Sequence, residues 1–327
     1  MSTTILQDRF GRRIEYLRLS VTDRCDLRCT YCLPKDFKDF LEPDAWLTFD
    51  EVARVVAVFA RLGVNKFRLT GGEPLTRRNL PGLAARLSAL PGVKDLSLST
   101  NATRLAKHAH DLKDAGIRRL NVSLDSLKPE RFAGIVGRDC LDDVLAGLMA
   151  AKLEGFAPIK INMVVLKGTN DDEIDDIVAF CMEHGFVLRL IETMPLGSTG
   201  GKAEYLDLRP IRQRLQQRFG LLDGLVEGGG PARYLQTPDR RFSVGFITPI
   251  SQHFCETCNR VRLSADGILY MCLGQNDSMN LRDVLRRGAT DADLENVIRE
   301  AIELKPLKHD FREQPTKIVR FMSQTGG

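Results

Sequence analysis

The chain has 327 residues, 43% of them apolar and 28% charged, ordinary values for a globular protein that exclude a wholly disordered, collagen-like or disulfide-stapled miniature one. Its 47 basic and 43 acidic residues leave a formal charge of +4 spread along the chain, so no basic block speaks for nucleic acid. No apolar run nears the roughly 18 residues that span a bilayer, and the start lacks a signal peptide's cationic and apolar regions. A cytoplasmic location is the expectation, and in that reducing compartment eight cysteines point to metal rather than to disulfides.

Taken in chain order, short apolar and β-branched runs predict strands over 16–21, 66–70, 95–100, 119–124, 159–166 and 187–191. Amphipathic stretches predict helices over 50–62, 80–89, 105–115, 141–154 and 171–184, several closing on a glycine suited to a helix C′ position (Gly63, Gly116, Gly155, Gly185). Thr48 and Glu51 have the spacing of a capping box. Strands alternating with helices argue for a parallel sheet, open or curled into a barrel. Beyond about residue 192 the alternation stops. Glycine-rich segments at 197–201 and 228–231 flank a helix over 209–219, followed by strands over 241–247, 260–263 and 268–271 and helices over 281–287 and 291–304. A boundary near 195 divides the chain into 1–195 and 196–327.

Cys25-x3-Cys29-x2-Cys32 directly follows the first strand. Three thiolates on one short loop can hold three corners of a cubic iron–sulfur cluster and leave the fourth iron open to a small molecule. A structural zinc site wants four ligands, and no neighbouring side chain supplies an obvious fourth. Gly71-Gly72-Glu73-Pro74, Ser99-Thr100-Asn101 and Ser123-Leu124-Asp125 end the next three strands, where parallel α/β folds place their sites. This set resembles the radical S-adenosylmethionine superfamily, with Tyr31 as the aromatic residue before the last cysteine. The resemblance implies that Tyr31, Gly72, Ser123 and Met194 contact S-adenosylmethionine.

A second trio, Cys255-x2-Cys258-x13-Cys272, encloses Asp266-Gly267, a hairpin turn signal. With those two residues at the turn centre, 265 pairs with 268 and 261 with 272, which brings Cys272 near Cys258. A second open cluster is the preferred reading, with a zinc ribbon as the alternative. Cys140 and Cys181 stand alone and read as ordinary helix residues.

A trio near each end, together with 17–25, 68–75, 121–125, Asn259-Arg260-x-Arg262 and the terminal Gly326-Gly327, resembles the GTP 3′,8-cyclase family (molybdenum cofactor biosynthesis protein A). The likeness implies an incomplete (βα)6 TIM-type barrel with a C-terminal α+β extension closing it. It also implies two 4Fe–4S clusters, and reductive cleavage of S-adenosylmethionine to a 5′-deoxyadenosyl radical. That radical abstracts the ribose 3′ hydrogen of GTP, and the sugar carbon then attacks guanine C8. Departures are Ser99 and Ala102, where the family usually has threonine and glycine, and Gln324-Thr325 before the final glycines.

Arg18 and Arg68 on the first two strands, Lys160 on the fifth, and Arg260 and Arg262 beside the second trio suit a triphosphate, because guanidinium forks match phosphate oxygens. Ser99 joins them as a substrate contact, while Arg260 and Arg262 also serve the chemistry and Gly326-Gly327 reach into the site, all by resemblance. The implied partners are a reductant or electron-transfer protein and, downstream, the cyclic pyranopterin monophosphate synthase. Two alternatives stay open: a radical enzyme acting on a peptide, which would not need the arginine set, and a non-catalytic zinc-bearing interaction protein.

Overall fold

In the first strand, β1 (Tyr16–Ser20), Leu17 and Leu19 pack into the apolar core while Tyr16, Arg18 and Ser20 take the opposite face, the two-residue period of a strand between unlike surroundings. The computed structural model describes residues 5–201, 203–226, 230–314 and 317–326. The chain continues through α1 (Phe49–Arg61), β2 (Lys66–Thr70), α2 (Leu80–Ser88), β3 (Asp95–Thr100), α3 (Leu105–Asp114) and β4 (Arg119–Ser123). Then come α4 (Pro129–Val136), α5 (Leu141–Leu153), β5 (Ile159–Val165), α6 (Ile174–His184) and β6 (Val187–Glu192). Every expected strand and helix of this half is present within one to three residues of its expected bounds. The Thr48 and Glu51 side chains exchange hydrogen bonds with each other's backbone N–H, the expected capping box.

α4 is an addition. It opens on Pro129 at its first turn and closes on Gly137 in the left-handed region (φ +76), both helix-boundary signals, but its eight residues are too few for a periodic pattern to stand out.

The C-terminal part adds the short α7 (Gly197–Gly200), α8 (Leu208–Phe219), β7 (Leu222–Gly224), β8 (Arg233–Gln236), β9 (Ser243–Ile247), β10 (Arg260–Leu263), β11 (Ile268–Tyr270) and β12 (Ser278–Asn280). It ends with α9 (Leu281–Arg286), α10 (Asp291–Glu303) and α11 (Met322–Thr325). All twelve strands form one sheet in the order β12-β11-β10-β1-β2-β3-β4-β5-β6-β9-β8-β7. The C-terminal strands join both edges of the six-stranded β/α unit, β10 beside β1 and β9 beside β6, each parallel to its neighbour. The result is an incomplete barrel whose sheet is not closed: β7 and β12 remain its outer strands, and the extension covers the open side with loops and the tail. One continuous apolar core runs through both parts and includes Cys181 on α6 and Cys140, which sits at the N-cap of α5. Among the described residues no helix is long and apolar enough to cross a membrane.

Candidate active site

The loop after β1 carries the first trio and is fastened at three places. Gly72 and Glu73 donate backbone N–H bonds to the Thr22 and Arg24 carbonyls (both 2.8 Å), and a Cβ at either Gly71 or Gly72 would fall on those carbonyls. The glycine pair is therefore required by the loop's own backbone, whatever ligand it also meets. Arg28 and Thr30 donate to Val136 and Ile135 at the end of α4 (both 2.9 Å), which gives the unexpected helix its role. Asp23, buried, accepts from the Leu41 N–H (2.7 Å) and the Trp46 indole (3.1 Å).

Cys25, Cys29 and Cys32 are free thiols on one cavity wall. Burial pushes all three thiols up, Cys32 to about 12, which tells against service as a free nucleophile.

Around the trio, the ends of β2–β5 supply polar groups. Buried Glu73 accepts from Asn101 N–H (2.6 Å), the Thr100 hydroxyl (2.8 Å) and Leu75 N–H (2.9 Å), and burial raises its carboxyl to about 7. Tyr31 donates its hydroxyl to Asp125 (2.7 Å), which also accepts from Val164 N–H (2.8 Å); burial lifts Asp125 to about 6. Ala102 has φ +63, so it keeps the left-handed conformation that the family's glycine would adopt without strain. Ser99, Ser123 and Met194 line the same cavity, as does Asn162, and the Ser99 hydroxyl and Asn162 carbonyl oxygen are buried without a partner.

Across a cavity of about 270 Å³ stand Cys255, Cys258 and Cys272. Their hairpin differs by one residue from the expected register. Gly267 donates to the Ser264 carbonyl (3.0 Å) and takes φ +83, so the loop has three residues, 265–267, and Arg262 pairs with Tyr270. The same register carried on puts Cys272 level with Arg260 instead of Val261, two residues from Cys258. Burial would raise the Cys258 thiol, but the charges of Lys305 and Arg260 bring it down to about 7. Lys305 belongs to no motif and is absent from the expected site.

Each trio thus offers three soft sulfur donors facing one cavity. Among the described residues no group of His, Cys, Asp or Glu is drawn together around a single ion position. The donor set fits a cluster that keeps one iron for a small molecule.

Strand register explains the cationic wall. Arg262, Arg18, Arg68 and Ser97 are successive partners across β10, β1, β2 and β3, so three guanidinium groups share one row. Arg260, on the row below beside Tyr16, faces the same cavity, as alternation requires. Arg189 on β6 completes the wall, bonded to Asn121 and to the Tyr234 hydroxyl (both 2.8 Å). No motif surrounds Arg189 in sequence; its only signal is a charged residue in the middle of an apolar strand. None of these five arginines pairs with a carboxylate among the described residues. Burial, with the neighbouring guanidinium charges, drives Arg18 and Arg68 down to about 9 and Arg262 to about 10. Tyr16, pushed up by burial but down by the combined charges of Arg68, Arg18, Arg189 and Arg260, ends below its ordinary value, and its buried hydroxyl has no partner among the described residues. Lys160 lies on the adjoining cavity, which shares Arg189, and burial takes its amine down to about 6.

Arg262 donates to the Gly326 carbonyl and to that of Thr325 (3.3 Å), so the tail lies on the arginine row; Gly327 falls outside the described residues.

Residues 19–181 match the radical SAM superfamily and residues 186–311 the Molybdenum Cofactor Synthesis C family. The chain is similar to the GTP 3′,8-cyclase of Ectopseudomonas mendocina, at 47% identity over all of both chains. It is also similar to GTP 3′,8-cyclase 2 of Pseudomonas aeruginosa, at 46% over all of both chains, and to the GTP 3′,8-cyclase of Paracoccus denitrificans, at 46% over 98% of this chain and 96% of that one. Among solved structures it resembles Streptococcus suis SuiB bound to S-adenosylmethionine, with a TM-score of 0.62 at 16% identity over 88% of this chain and 68% of that one, a likeness of fold.

Proposed function

We propose, from the premise that the chain belongs to the GTP 3′,8-cyclase family of the radical S-adenosylmethionine superfamily, that its cavity holds S-adenosylmethionine beside Cys25, Cys29 and Cys32 and GTP beside Cys255, Cys258 and Cys272. The protein is a radical S-adenosylmethionine lyase that works with two 4Fe–4S clusters. It cyclises GTP to (8S)-3′,8-cyclo-7,8-dihydroguanosine 5′-triphosphate, the first step of molybdenum cofactor biosynthesis. Residues 1–195 carry the first cluster and residues 196–327 the second.

The observation that carries this reading is the buried row of Arg262, Arg18 and Arg68, joined by buried Arg189 and half-buried Arg260, with no carboxylate paired to them among the described residues, between two thiol trios. Crowded buried cations are unfavourable alone and favourable around a polyanion. The five arginines hold the triphosphate, and Lys160 offers a further amine donor from the neighbouring cavity. Arg260 and Arg262, nearest the second trio, also stabilise charge where the base reacts, while Ser99 offers the ribose side a hydroxyl. On the other side Gly72, Ser123, Tyr31 and Met194 orient S-adenosylmethionine. The cofactors supply hydrogen abstraction from the ribose, and the chain supplies alignment and exclusion of water. The terminal glycines order Arg262 against the substrate, Gly326 through its carbonyl. The electron comes from a reductant or electron-transfer protein, and the product passes to the cyclic pyranopterin monophosphate synthase.

The test is anaerobic incubation of the iron-loaded protein with GTP, S-adenosylmethionine and reductant. The expected product is a nucleotide with the mass of GTP but altered retention, formed together with 5′-deoxyadenosine. Cys25→Ala, Cys29→Ala or Cys32→Ala abolishes the 5′-deoxyadenosine and leaves the iron of the second cluster. Unchanged GTP alongside turnover of a peptide would overturn the substrate, and a colourless zinc-loaded protein would overturn the clusters.

A further inference from the structure

The second trio is fastened by a lysine at the other end of the extension. Lys305 follows α10, is 1% exposed, and donates to the Met271 carbonyl (2.7 Å), the Arg260 carbonyl (3.0 Å) and the Cys258 sulfur (3.6 Å). An ammonium has three protons, so its bonding capacity is met by these acceptors. Two of them belong to the two arms of the hairpin: Arg260 opens β10 and Met271 directly follows β11. Lys305 therefore ties both strands together at the end where Cys258 and Cys272 stand, and gives its remaining proton to sulfur.

The charge is as specific as the geometry. Among the described residues no carboxylate pairs with Lys305. Of the two other cations near Cys258, Arg260 faces the substrate cavity, while Arg12 is neutralised by buried Asp8 (2.6 Å) and uses its remaining donors on the carbonyls of Cys255, Leu307 and Pro306. A buried ammonium facing only neutral carbonyls would be costly. Facing a sulfur ligand of an anionic cluster, it is compensated.

We propose that Lys305 is a positioning residue that holds the second cluster's ligands in register and sets that cluster's reduction potential through its N–H bond and charge at the Cys258 sulfur. Hydrogen bonds to cluster sulfurs and nearby charge are the general levers on such potentials, and both favour the reduced, more negative form. This rests on the reading of Cys255, Cys258 and Cys272 as ligands.

The test uses the full-length protein loaded with iron and sulfide, as wild type, Lys305→Met, Lys305→Gln, Lys305→Arg and Cys258→Ala. Iron per chain is measured, and each cluster is titrated electrochemically with detection by electron paramagnetic resonance; the signal lost in Cys258→Ala marks the second cluster. In Lys305→Met that signal should titrate at lower potential, the reduced-to-oxidised ratio at a fixed potential falling about tenfold, or about 59 mV for one electron. The first cluster should be unmoved and Lys305→Arg should recover most of the shift. Loss of the second cluster alone in Lys305→Met would support the positioning role, and Lys305→Gln, which keeps donors without charge, then reads the potential. Full iron with an unmoved second potential in both Lys305→Met and Lys305→Gln, or equal shifts in Met and Arg variants, would overturn the proposal. Undiminished second-cluster iron in Cys258→Ala would overturn instead the ligand assignment beneath it.

Discussion

Arg18, Arg68 and Arg262 stand side by side because parallel strands in register place equivalent residues in one row, and nothing on that row neutralises them. Substrate phosphates are the natural counter-charge, and this separates contacts to the triphosphate from contacts to the base. Arg260→Ala and Arg262→Ala should weaken GTP by roughly 1.5–3 kcal/mol and guanosine far less, because only the charged contact is lost; calorimetry with both ligands reads the difference. Equal losses would make these arginines supports of the fold. Asp125 invites a pH experiment. Its folded carboxyl is raised to about 6 from an ordinary 3.8, so its contribution to stability is full below the lower value and lost as pH rises through the upper one. Asp125→Asn removes this titration. Unfolding free energies from urea denaturation of the iron-free chain should therefore fall between about pH 4 and 7 more steeply in wild type than in the variant, by on the order of 1–3 kcal/mol.

At the scale of elements, the first cysteine loop is shaped by its neighbours more than by itself. The strand end at Gly71-Gly72, the carbonyls closing α4 and buried Asp23 each grip it. Gly72→Ala sets a methyl group on the Arg24 carbonyl, one residue from Cys25. The expected result is a loss of about 1–3 kcal/mol, the range for overpacking, with lower iron in the first cluster and intact iron in the second. Urea unfolding and iron analysis check it, and a fully loaded, equally stable variant would show that the loop can yield. The second hairpin illustrates a different dependence. Asp266-Gly267 marks a turn in either register, but a type I turn followed by a left-handed glycine adds one loop residue, and sequence alone does not distinguish the two.

Across the whole molecule, the C-terminal tail connects both cysteine loops. Arg320 donates to the carbonyls of Cys272 (3.0 Å), Leu273 (2.7 Å) and Gln275 (2.6 Å), which holds the second loop. The Phe321 ring meets Phe37 of the first loop edge-on at 5.0 Å, and Gly326 packs against Thr70 at the end of β2, where a Cβ would collide. Only a residue without a side chain passes there. Deleting Gly326 and Gly327, or extending the chain beyond them, should leave both clusters and uncoupled cleavage of S-adenosylmethionine intact while suppressing the cyclised nucleotide. Product formed at the full-length rate by the truncated protein would assign the tail no part in the reaction.

What the sequence determined by itself was whatever is local. The two-residue and 3.6-residue periods marked six strands and five helices, the capping box marked the start of α1, and cysteine spacing with the Gly-Gly-Glu-Pro segment marked the first metal loop. Alternation alone put Arg260 and Arg262 on one face. Tertiary structure decided what depends on partners distant in the chain. The short strands β7, β8 and β12 exist because they pair, and three- or four-residue strands carry no period of their own. Arg189 joins the cationic wall through the β6 position in the sheet, and Lys160 turns out to face the adjoining cavity. Lys305 reaches Cys258 across 47 residues of chain because α10, packed against α1 and α9, is followed by a segment that lies on the hairpin. A side chain's chemistry is written in its own residue, but its neighbours are set by packing, and packing is a property of the whole chain.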